Sequence, residues 1–340
     1  MTVLTPAPPP PARSRPRPPR MLIGAGLLGA FLLLRMVAPP DAALTDTARD
    51  FATLSISIVI ESLPFVFLGI LLSIAVQLWV PERVLLRVLP RRALPRRIVI
   101  SLLGVLLPVC ECGNVPLARG LVAKGLSVSE SVTFLLAAPI LNPITIVTTY
   151  QAFGWADGIL VSRVVGGFVI ANLVGWLLSL HPRPTELLTP VFRAVCAAGD
   201  AAHGSGATRV RRGLSTLAEE TSAMLPALFV GAAIAGLIQV GVSRDLLTTL
   251  GADPLWSVLA LMVLAFVISV CSNVDAFFVL SFGGTFLPGA IVAFLVFGPM
   301  IDIKMLALLR TTFTAGALVR ITALVALCAA ALGLAVNLAA

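Results

Sequence analysis

The chain has 340 residues, of which 58% are hydrophobic and 12% are charged, and its mean hydropathy is +1.03. Because soluble domains carry about 25% charged residues, this composition excludes an ordinary soluble protein and predicts a polytopic, all-α membrane protein. A net charge of +8 would suggest nucleic-acid binding in a soluble chain, but here Arg residues separate apolar segments. That pattern is typical of membrane orientation, so we expect no nucleic-acid partner.

The N-terminal region predicts a tail followed by one membrane helix. Residues 1–20 contain eight Pro and four Arg, so we expect this stretch to be disordered and cytoplasmic. Residues 21–38 form an apolar run interrupted by Arg35, which we interpret as a retained first membrane helix. A cleaved signal peptide fits less well, because the residues after this run make a poor cleavage site. Met21 is an alternative start of the chain.

Eight further apolar segments follow, and a polar, Arg-rich linker divides them into two groups. The segments lie at 51–80, 98–121, 128–150, 158–180, 214–241, 255–282, 288–309 and 313–339. We predict a first membrane repeat at 51–180, a cytoplasmic linker at 181–213, and a second membrane repeat at 214–339.

The two groups match each other in register, which indicates an internal duplication. Pro64 and Gln77 match Pro226 and Gln239, which lie 162 residues later. Two further pairs of segments match at offsets of 159 and 160 residues, namely Cys112–Pro116 with Cys271–Asp275 and Ala138–Asn142 with Gly298–Asp302. Three matches in order at a near-constant spacing predict two structural repeats.

Loop charges indicate whether segment 98–121 crosses the membrane. A full crossing would place Arg119, Lys124 and the Arg-rich linker outside, against the positive-inside rule. A re-entrant hairpin, which enters and leaves on one side, keeps all of them cytoplasmic. The residues suited to its turn are Pro108, Gly113 and Pro116.

Each repeat then contains three crossings and one re-entrant hairpin, at 98–121 in the first repeat and 255–282 in the second. Because three crossings reverse the orientation, the second repeat is inverted relative to the first. Together with the first helix, the predicted fold has seven crossings in the cytoplasmic (inner) membrane, with the N-terminus in the cytoplasm. Nine full crossings remain the alternative.

Cysteines and amides cluster at the predicted hairpin turns. Cys110 and Cys112 in the first hairpin and Cys271 in the second offer thiols for a soft ion or a thiophilic metalloid. The alternative is that they are small hydrophobic residues, as buried Cys often are. Three amide side chains either contact the solute or satisfy broken backbone; they are Asn114, Asn142 and Asn273.

Four charged residues within the apolar segments are candidates for proton coupling; they are Glu111, Asp275, Asp302 and Lys304. A charge at this depth needs a partner, and Lys304 is the expected partner of Glu111, with the two Asp residues as alternative partners of the lysine. A static ion pair that fixes helix packing is the competing interpretation.

Two further charged residues lie within the apolar segments. Arg163, near a helix end, is expected to snorkel to the membrane interface. Glu61 belongs either to the site or to the external interface.

The sequence lacks the signatures of an enzyme. It contains no Gly-Lys-Ser/Thr nucleotide motif, and its two His residues, His181 and His203, both lie in the linker. We therefore expect no catalytic residue, no resident metal and no cofactor.

Four motifs carry a resemblance to a known family; they are Pro108–Pro116, Ala137–Pro143, Cys271–Ala276 and Phe297–Lys304. In these motifs the chain resembles a large family of bacterial predicted permeases that includes the organoarsenical efflux permeases. The resemblance covers about residues 51–339 and implies a polytopic inner-membrane permease. Some relatives export trivalent methylated or aromatic arsenicals, whose thiophilic arsenic suits Cys110 and Cys112. Glu111 stands where the family's motif often has Ser.

These features predict a secondary transporter that exports a small thiophilic or metalloid solute, similar to an organoarsenical, by alternating access. Its expected partners are the solute, the lipid bilayer, and a second copy or an accessory protein. Two other classes stay open. One is a membrane-embedded thiol redox enzyme that uses Cys110 and Cys112, and the other is a membrane subunit of a multi-component permease.

Overall fold

The architecture is helical in the computed structural model, which describes residues 46–79, 87, 89–106, 109–155, 157–199, 206–241, 253–282 and 286–339. Within these ranges, β-type pairing is limited to an isolated bridge between Leu188 and Phe313. The described residues from 46 to 339 belong to one compact unit. The predicted tail at 1–20 and the predicted first helix at 21–38 lie outside the described residues.

The helices fall into two groups separated by the linker. Those before it are α1 (Asp46–Trp79), α2 (Ala93–Leu106), α3 (Glu111–Ala123), α4 (Val128–Leu141), α5 (Pro143–Phe153) and α6 (Ile159–Ser179). The linker contains a short 3-10 helix (Pro184–Leu187) and α7 (Pro190–Gly199). Those after it are α8 (Gly206–Gly241), α9 (Pro254–Ile268), α10 (Asp275–Leu280), α11 (Pro288–Met300), α12 (Ile303–Leu309) and α13 (Ala315–Ala339). The order of long and short helices repeats between the groups.

In the described ranges, five segments are long and apolar enough to cross a membrane; they are Ala48–Trp79, Ile159–Ser179, Gly213–Val240, Pro288–Leu309 and Ala315–Ala339. A sixth crossing forms if α4 and α5, which are bent by 41° relative to each other, act as one span. These six segments are the ones predicted to cross after residue 50. The chain is therefore a multi-pass membrane protein.

The two predicted re-entrant segments are each broken into short helices. In the first segment α2 has 14 residues and α3 has 13, while in the second α9 has 15 and α10 has 6. At about 1.5 Å per residue, the longest of these is about 23 Å, which is less than the roughly 30 Å hydrocarbon core of a bilayer. Neither segment is therefore one continuous membrane-spanning helix.

The break in the first segment lies earlier than the sequence indicates. We expected Gly113 and Pro116 in the turn, but both lie inside α3, which begins directly after the extended residue Cys110. Proline is tolerated at position 116 because it removes only one backbone hydrogen bond from α3, the one to the carbonyl of Cys112. The third expected turn residue, Pro108, lies outside the described residues.

Helices α4 and α11 form the centre of the bundle. Every residue of α4 and nearly every residue of α11 is buried. The two helices contact each other; α4 also packs against α2 and α6, and α11 packs in the same way against α9 and α13. The short helices of both broken segments are thus positioned around a buried central pair.

Helices α1 and α3 approach each other so closely that their contact requires glycine. A Cβ atom on Gly69 would lie 2.0 Å from the carbonyl oxygen of Gly113, and one on Gly113 would lie 2.4 Å from the carbonyl oxygen of Phe65. Small residues allow such backbone contact between membrane helices. This contact fixes the position of α3, whose first residue is Glu111.

The substitution Gly69→Ala should lower the free energy of unfolding by about 1–3 kcal/mol, because the added methyl group overpacks the contact between α1 and α3. Thermal unfolding in detergent, followed by Trp fluorescence, measures this change. Gly316→Ala on α13 is the matched control, since a Cβ atom there meets no described atom within 4 Å. Equal melting temperatures for the two variants would contradict the close approach of the helices.

Candidate functional site

Two breaks in the helices, one from each half of the chain, meet inside the bundle. The first break precedes α3 at Cys110 and Glu111, and the second separates α9 from α10 at Cys271 and Ser272. Glu111 Oε2 accepts a hydrogen bond from Ser272 Oγ at 3.0 Å and lies 3.5 Å from the Ser272 backbone nitrogen. All four residues are buried. The turns of the two broken segments are therefore in direct contact.

The end of α9 is stabilised by a side chain from another helix. Ser269 adopts a left-handed conformation with a φ of 53°, which ends the helix. The Gln239 side chain donates hydrogen bonds to the carbonyl oxygens of Val267 and Ile268, at 3.3 and 2.8 Å. These bonds satisfy carbonyl groups that the helix end would leave unpaired at membrane depth. The sequence identifies Gln239 only as a repeat position and carries no signal of this role.

Sulfur and carboxylate atoms converge where the two breaks meet. Cys110 Sγ, Cys271 Sγ and a Glu111 carboxylate oxygen lie within 4.8 Å of one another. The thiol of Cys112 adjoins that of Cys110, and Cys112 is also buried. We call these four residues the thiol–carboxylate cluster. Soft thiolate ligands select thiophilic metals, so this cluster is where a metal or metalloid could bind.

Lys304 supplies a positive charge beside the cluster. Its Nζ atom lies 3.3 Å from Glu111 Oε1 and 3.3 Å from the carbonyl oxygen of Ser269. The structure thus places Lys304 against Glu111, which is the pairing expected from the sequence. Both side chains are 1% exposed, so the charges of this pair are shielded from solvent.

Asp302 lies next to the same lysine. Its Oδ1 atom caps α12 by accepting a hydrogen bond from the Met305 backbone nitrogen at 2.5 Å. Its Oδ2 atom lies 4.0 Å from Lys304 Nζ and makes no close hydrogen bond within the described part of the chain, while the Ser269 side chain interacts with the carboxyl group. This buried carboxylate oxygen is therefore only weakly satisfied.

Asp275 pairs with Arg163, on α6. Arg163 Nη2 lies 2.5 Å from Asp275 Oδ2, and Nη1 lies 3.0 Å from Oδ1. The same Nη1 atom donates to Thr149 Oγ1 at 2.6 Å. The expected snorkelling of Arg163 is therefore wrong, since this residue is 0% exposed. The planar guanidinium makes two parallel hydrogen bonds with the carboxylate, which offset the cost of burying it.

The predicted amide residues contact protein groups in this structure. Asn142 caps α5, and its Nδ2 atom donates to the Val109 carbonyl oxygen at 3.4 Å. Asn114 donates to the same carbonyl oxygen at 3.5 Å. Asn273 accepts a hydrogen bond from Thr145 Oγ1 at 3.4 Å. Asn114 and Asn142 thus satisfy backbone at the first break, which is one of the two roles expected from the sequence.

Glu61 on α1 borders the cluster. Its carboxyl group interacts with the Cys271 thiol and with the charges of Glu111 and Lys304, although the residue itself is exposed. One turn earlier, Ile58 packs in the same apolar cluster as a residue of α12. Of the two places that the sequence allows for Glu61, the structure has it beside the site.

A further buried ion pair joins the two halves of the chain. Arg119 Nε lies 2.8 Å from Glu220 Oε2. The Arg119 Nη1 atom also donates to the Thr311 carbonyl oxygen and to Thr312 Oγ1, both at 3.1 Å. The guanidinium lies 4.2 Å from the ring centroid of Phe192 on α7, a cation–π contact. The sequence suggested only a loop charge at Arg119, but an acidic residue inside an apolar segment, Glu220, was a usable signal of this pair.

The chain matches one protein family over most of its length, and several curated proteins over parts of it. The family ArsP_1, described as "Predicted permease", matches residues 47–338. The "UPF0718 protein YcgR" of Bacillus subtilis (strain 168) is 36% identical over 260 residues, covering 76% of this chain and 87% of the relative. A Streptococcus mutans protein with the name "Putative two-component membrane permease complex subunit" is 32% identical over 258 residues, covering 76% of this chain and 85% of the relative. The "UPF0718 protein YraQ" of Escherichia coli (strain K12) is 27% identical over 150 residues, covering 44% of this chain and 42% of the relative. No solved structure matches the chain.

Proposed function

Because this chain belongs to the predicted permease family ArsP_1, we propose that it exports a small thiophilic or metalloid solute, such as an organoarsenical, through the thiol–carboxylate cluster. One observation carries the proposal. Cys271 lies 160 residues after Glu111 in the sequence, yet the two side chains meet in the buried interior. Ionisable groups at membrane depth are costly and mark solute pathways in transporters. Transport, and not enzyme catalysis, is therefore the assigned activity.

The proposed fold frames this cluster with two inverted repeats, at 51–180 and 214–339. Reciprocal contacts support it: α3 contacts α12, while α10, the counterpart of α3, contacts α5, the counterpart of α12. Helix α4 also contacts its own counterpart, α11. A two-fold axis in the membrane plane produces such reciprocity, and transporters of this kind bind their solutes between the repeats. The proposed location is the inner membrane, with the N-terminus and the linker at 181–213 in the cytoplasm.

In alternating access, contacts between the two halves of the chain break near one face of the membrane while the contacts near the other face stay formed. Three buried ion pairs of the described chain join the halves, namely Glu111–Lys304, Arg119–Glu220 and Arg163–Asp275. In the proposed topology, Arg119 lies toward the linker side of the membrane and Arg163 toward the opposite side. We assign Arg119–Glu220 as the inner latch and Arg163–Asp275 as the outer latch.

The proposed coupling charges are Glu111, Asp302 and Lys304, because these three form one buried group beside the thiols. Asp275 was expected to belong to the same set, but its carboxylate is occupied by Arg163. Its proposed role is therefore in the outer latch. The proposed solute-contacting atoms are the thiols, with the nearby amide residues orienting the turns.

The second candidate function is that of a membrane subunit in a two-component permease. It is favoured by the Streptococcus mutans relative, whose name describes such a subunit. The Arg-rich linker, which includes α7, is the proposed docking surface for the accessory protein. Transport by the purified chain alone in proteoliposomes would exclude this candidate.

Cys110→Ser and Cys271→Ser should each reduce transport about tenfold or more, because each removes one of the thiols proposed to contact the solute. Everted membrane vesicles incubated separately with phenylarsine oxide, antimonite, Zn²⁺ and Cd²⁺ measure the accumulation of each probe. Cys328→Ser on α13 is the control and should transport at the normal rate, since Cys328 lies outside the cluster. Unchanged accumulation of every probe in the Cys110 variant would refute the assignment.

A further inference from the structure

The donor atoms of the thiol–carboxylate cluster match those of a divalent metal site. Two Sγ atoms and one carboxylate oxygen, from Cys110, Cys271 and Glu111, lie within 4.8 Å of one another. Around Zn²⁺, with bonds of about 2.3 Å to sulfur and about 2.1 Å to oxygen, tetrahedral ligand atoms lie roughly 3.5–3.8 Å apart. A cation at the centre would therefore need these atoms to close by only about 1 Å.

The carboxylate in this donor set distinguishes between the possible thiophilic solutes. A neutral organoarsenical that binds two thiolates makes no use of a carboxylate, and Glu111 would then need its counterion Lys304 whether or not the solute was bound. A divalent cation uses the Glu111 carboxylate as a ligand. The Glu111 carboxylate contacts both a thiol and the lysine. Its Oε2 atom lies 4.0 Å from Cys271 Sγ, and its Oε1 atom lies 3.3 Å from Lys304 Nζ.

Lys304 forms an ion pair with Glu111 in this structure, and Asp302 offers the lysine a second acceptor. Asp302 Oδ2 lies 4.0 Å from the ammonium nitrogen and makes no close hydrogen bond among the described side chains and backbone, apart from an interaction of its carboxyl group with the Ser269 side chain. A cation that binds Glu111 repels the ammonium, which can shift closer to this oxygen without leaving the buried site. The lysine thus acts as a tethered counterion that the solute displaces.

We infer that the solute of this permease is a thiophilic divalent cation, of the Zn²⁺ and Cd²⁺ class, bound by Cys110, Cys271 and Glu111 while Lys304 moves to Asp302. The inference rests on the proposed function and narrows its solute. Each metal–sulfur bond forms as the thiol proton leaves to water, so one divalent cation replaces two protons. With both carboxylates ionised, the buried group keeps the same net charge when the cation enters.

Glu61 supplies a further carboxyl group at the edge of the cluster. It is an exposed residue whose carboxyl group interacts with Cys271 and with Glu111. Three protein ligands leave a fourth position for water or for this carboxylate, and an open position allows the release that transport requires. The site is therefore suited to cargo and not to a permanently bound metal.

The test uses the purified full-length protein in lipid nanodiscs, with Cd²⁺, Zn²⁺ and phenylarsine oxide as separate probes. Equilibrium dialysis gives the affinity and stoichiometry of each probe, and ultraviolet absorbance reports cadmium–thiolate bonds. One Cd²⁺ per chain, with absorbance that falls in Cys110→Ser and Cys271→Ser but not in Cys328→Ser, is the expected result.

Charge variants separate cation binding from arsenical binding. Glu111→Gln should weaken Cd²⁺ binding about tenfold or more, because a ligand is lost, but should leave phenylarsine oxide binding intact. Lys304→Met should tighten Cd²⁺ binding, since the competing ammonium is gone. Asp302→Asn should weaken it about tenfold, since the displaced ammonium loses its acceptor. If Lys304→Met does not fold, Asp302→Asn still tests the displacement, because its cap on α12 can be kept by the amide oxygen.

Each outcome decides between the narrower and the broader proposal. Thiol-dependent binding of phenylarsine oxide without Cd²⁺ or Zn²⁺ binding would overturn the cation inference and leave the proposed function standing. An affinity for Cd²⁺ that is unchanged in Glu111→Gln would also overturn the cation inference. Failure of all three probes to bind would overturn both proposals. Cd²⁺ binding weakened by Glu111→Gln and tightened by Lys304→Met supports both.

Discussion

Replacing Lys304 with methionine should lower the free energy of unfolding of the metal-free protein by about 3–5 kcal/mol, because it leaves Glu111 as an uncompensated buried charge. The two side chains are each 1% exposed and lie 3.3 Å apart, so solvent cannot take over the role of the lysine. Thermal unfolding in detergent measures the loss. Adding Cd²⁺ should restore much of it, since a bound cation stabilises only the folded state and neutralises the same carboxylate.

The double variant Glu111→Gln with Lys304→Met is the control for this result. Removing both charges together should recover most of the stability, because replacing a buried ion pair by neutral groups is often close to neutral in free energy. Cd²⁺ should not stabilise the double variant, since the carboxylate ligand is gone. If the single Lys304 variant melted at the wild-type temperature, the ion pair would have no energetic role and the tethered-counterion mechanism would fail.

Arg163→Met should be similarly destabilising, by about 3–5 kcal/mol, because the Asp275 carboxylate would stay buried without its two charged hydrogen bonds. The expected loss includes the contact between α6 and α10, which this ion pair joins. The variant Arg163→Met with Asp275→Leu should recover stability but not transport, since the proposed outer latch would then be missing. Melting temperatures and vesicle transport separate these two effects.

An exposed ion pair offers a matched control for the arginine substitution. Arg183 and Glu186 in the linker form an ion pair whose side chains are 75% and 52% exposed. Arg183→Met should change the free energy of unfolding by less than about 0.5 kcal/mol, because exposed pairs are screened by water and salt. Comparable losses in the Arg163 and Arg183 variants would show that burial does not determine the strength of the outer pair.

The pairing of Glu111 with Lys304 was predictable because the energetic cost of an intramembrane charge demands a partner, and few candidates were available. The same logic applied to Arg163, but a second explanation was available there. Arg163 is the fifth residue of α6, within reach of the membrane interface for a long side chain. Only the tertiary contact of α6 with Thr149 and Asp275 decides against snorkelling, and no local pattern reports that contact.

The position of the first helix break shows a second limit of the sequence. Proline and glycine mark places where a helix can break, but a proline in the second turn of a helix costs only one hydrogen bond, so Pro116 does not define the break. Burial against α1 requires Gly113 for space and not for backbone flexibility. The apolar segments and their order were predictable because hydropathy is a property of composition, whereas the contact between the two breaks depends on the packing of α4 and α11.

A single backbone atom links the start of α3 to the bend between α4 and α5. The Val109 carbonyl oxygen accepts hydrogen bonds from both Asn114 and Asn142, at 3.5 and 3.4 Å. The start of α3 and the bend between α4 and α5 are therefore linked through the same acceptor. Displacing either one weakens a hydrogen bond at this shared point, so we expect the two to move together. A hinge that moves the thiols of this half is then expected outside these two contacts.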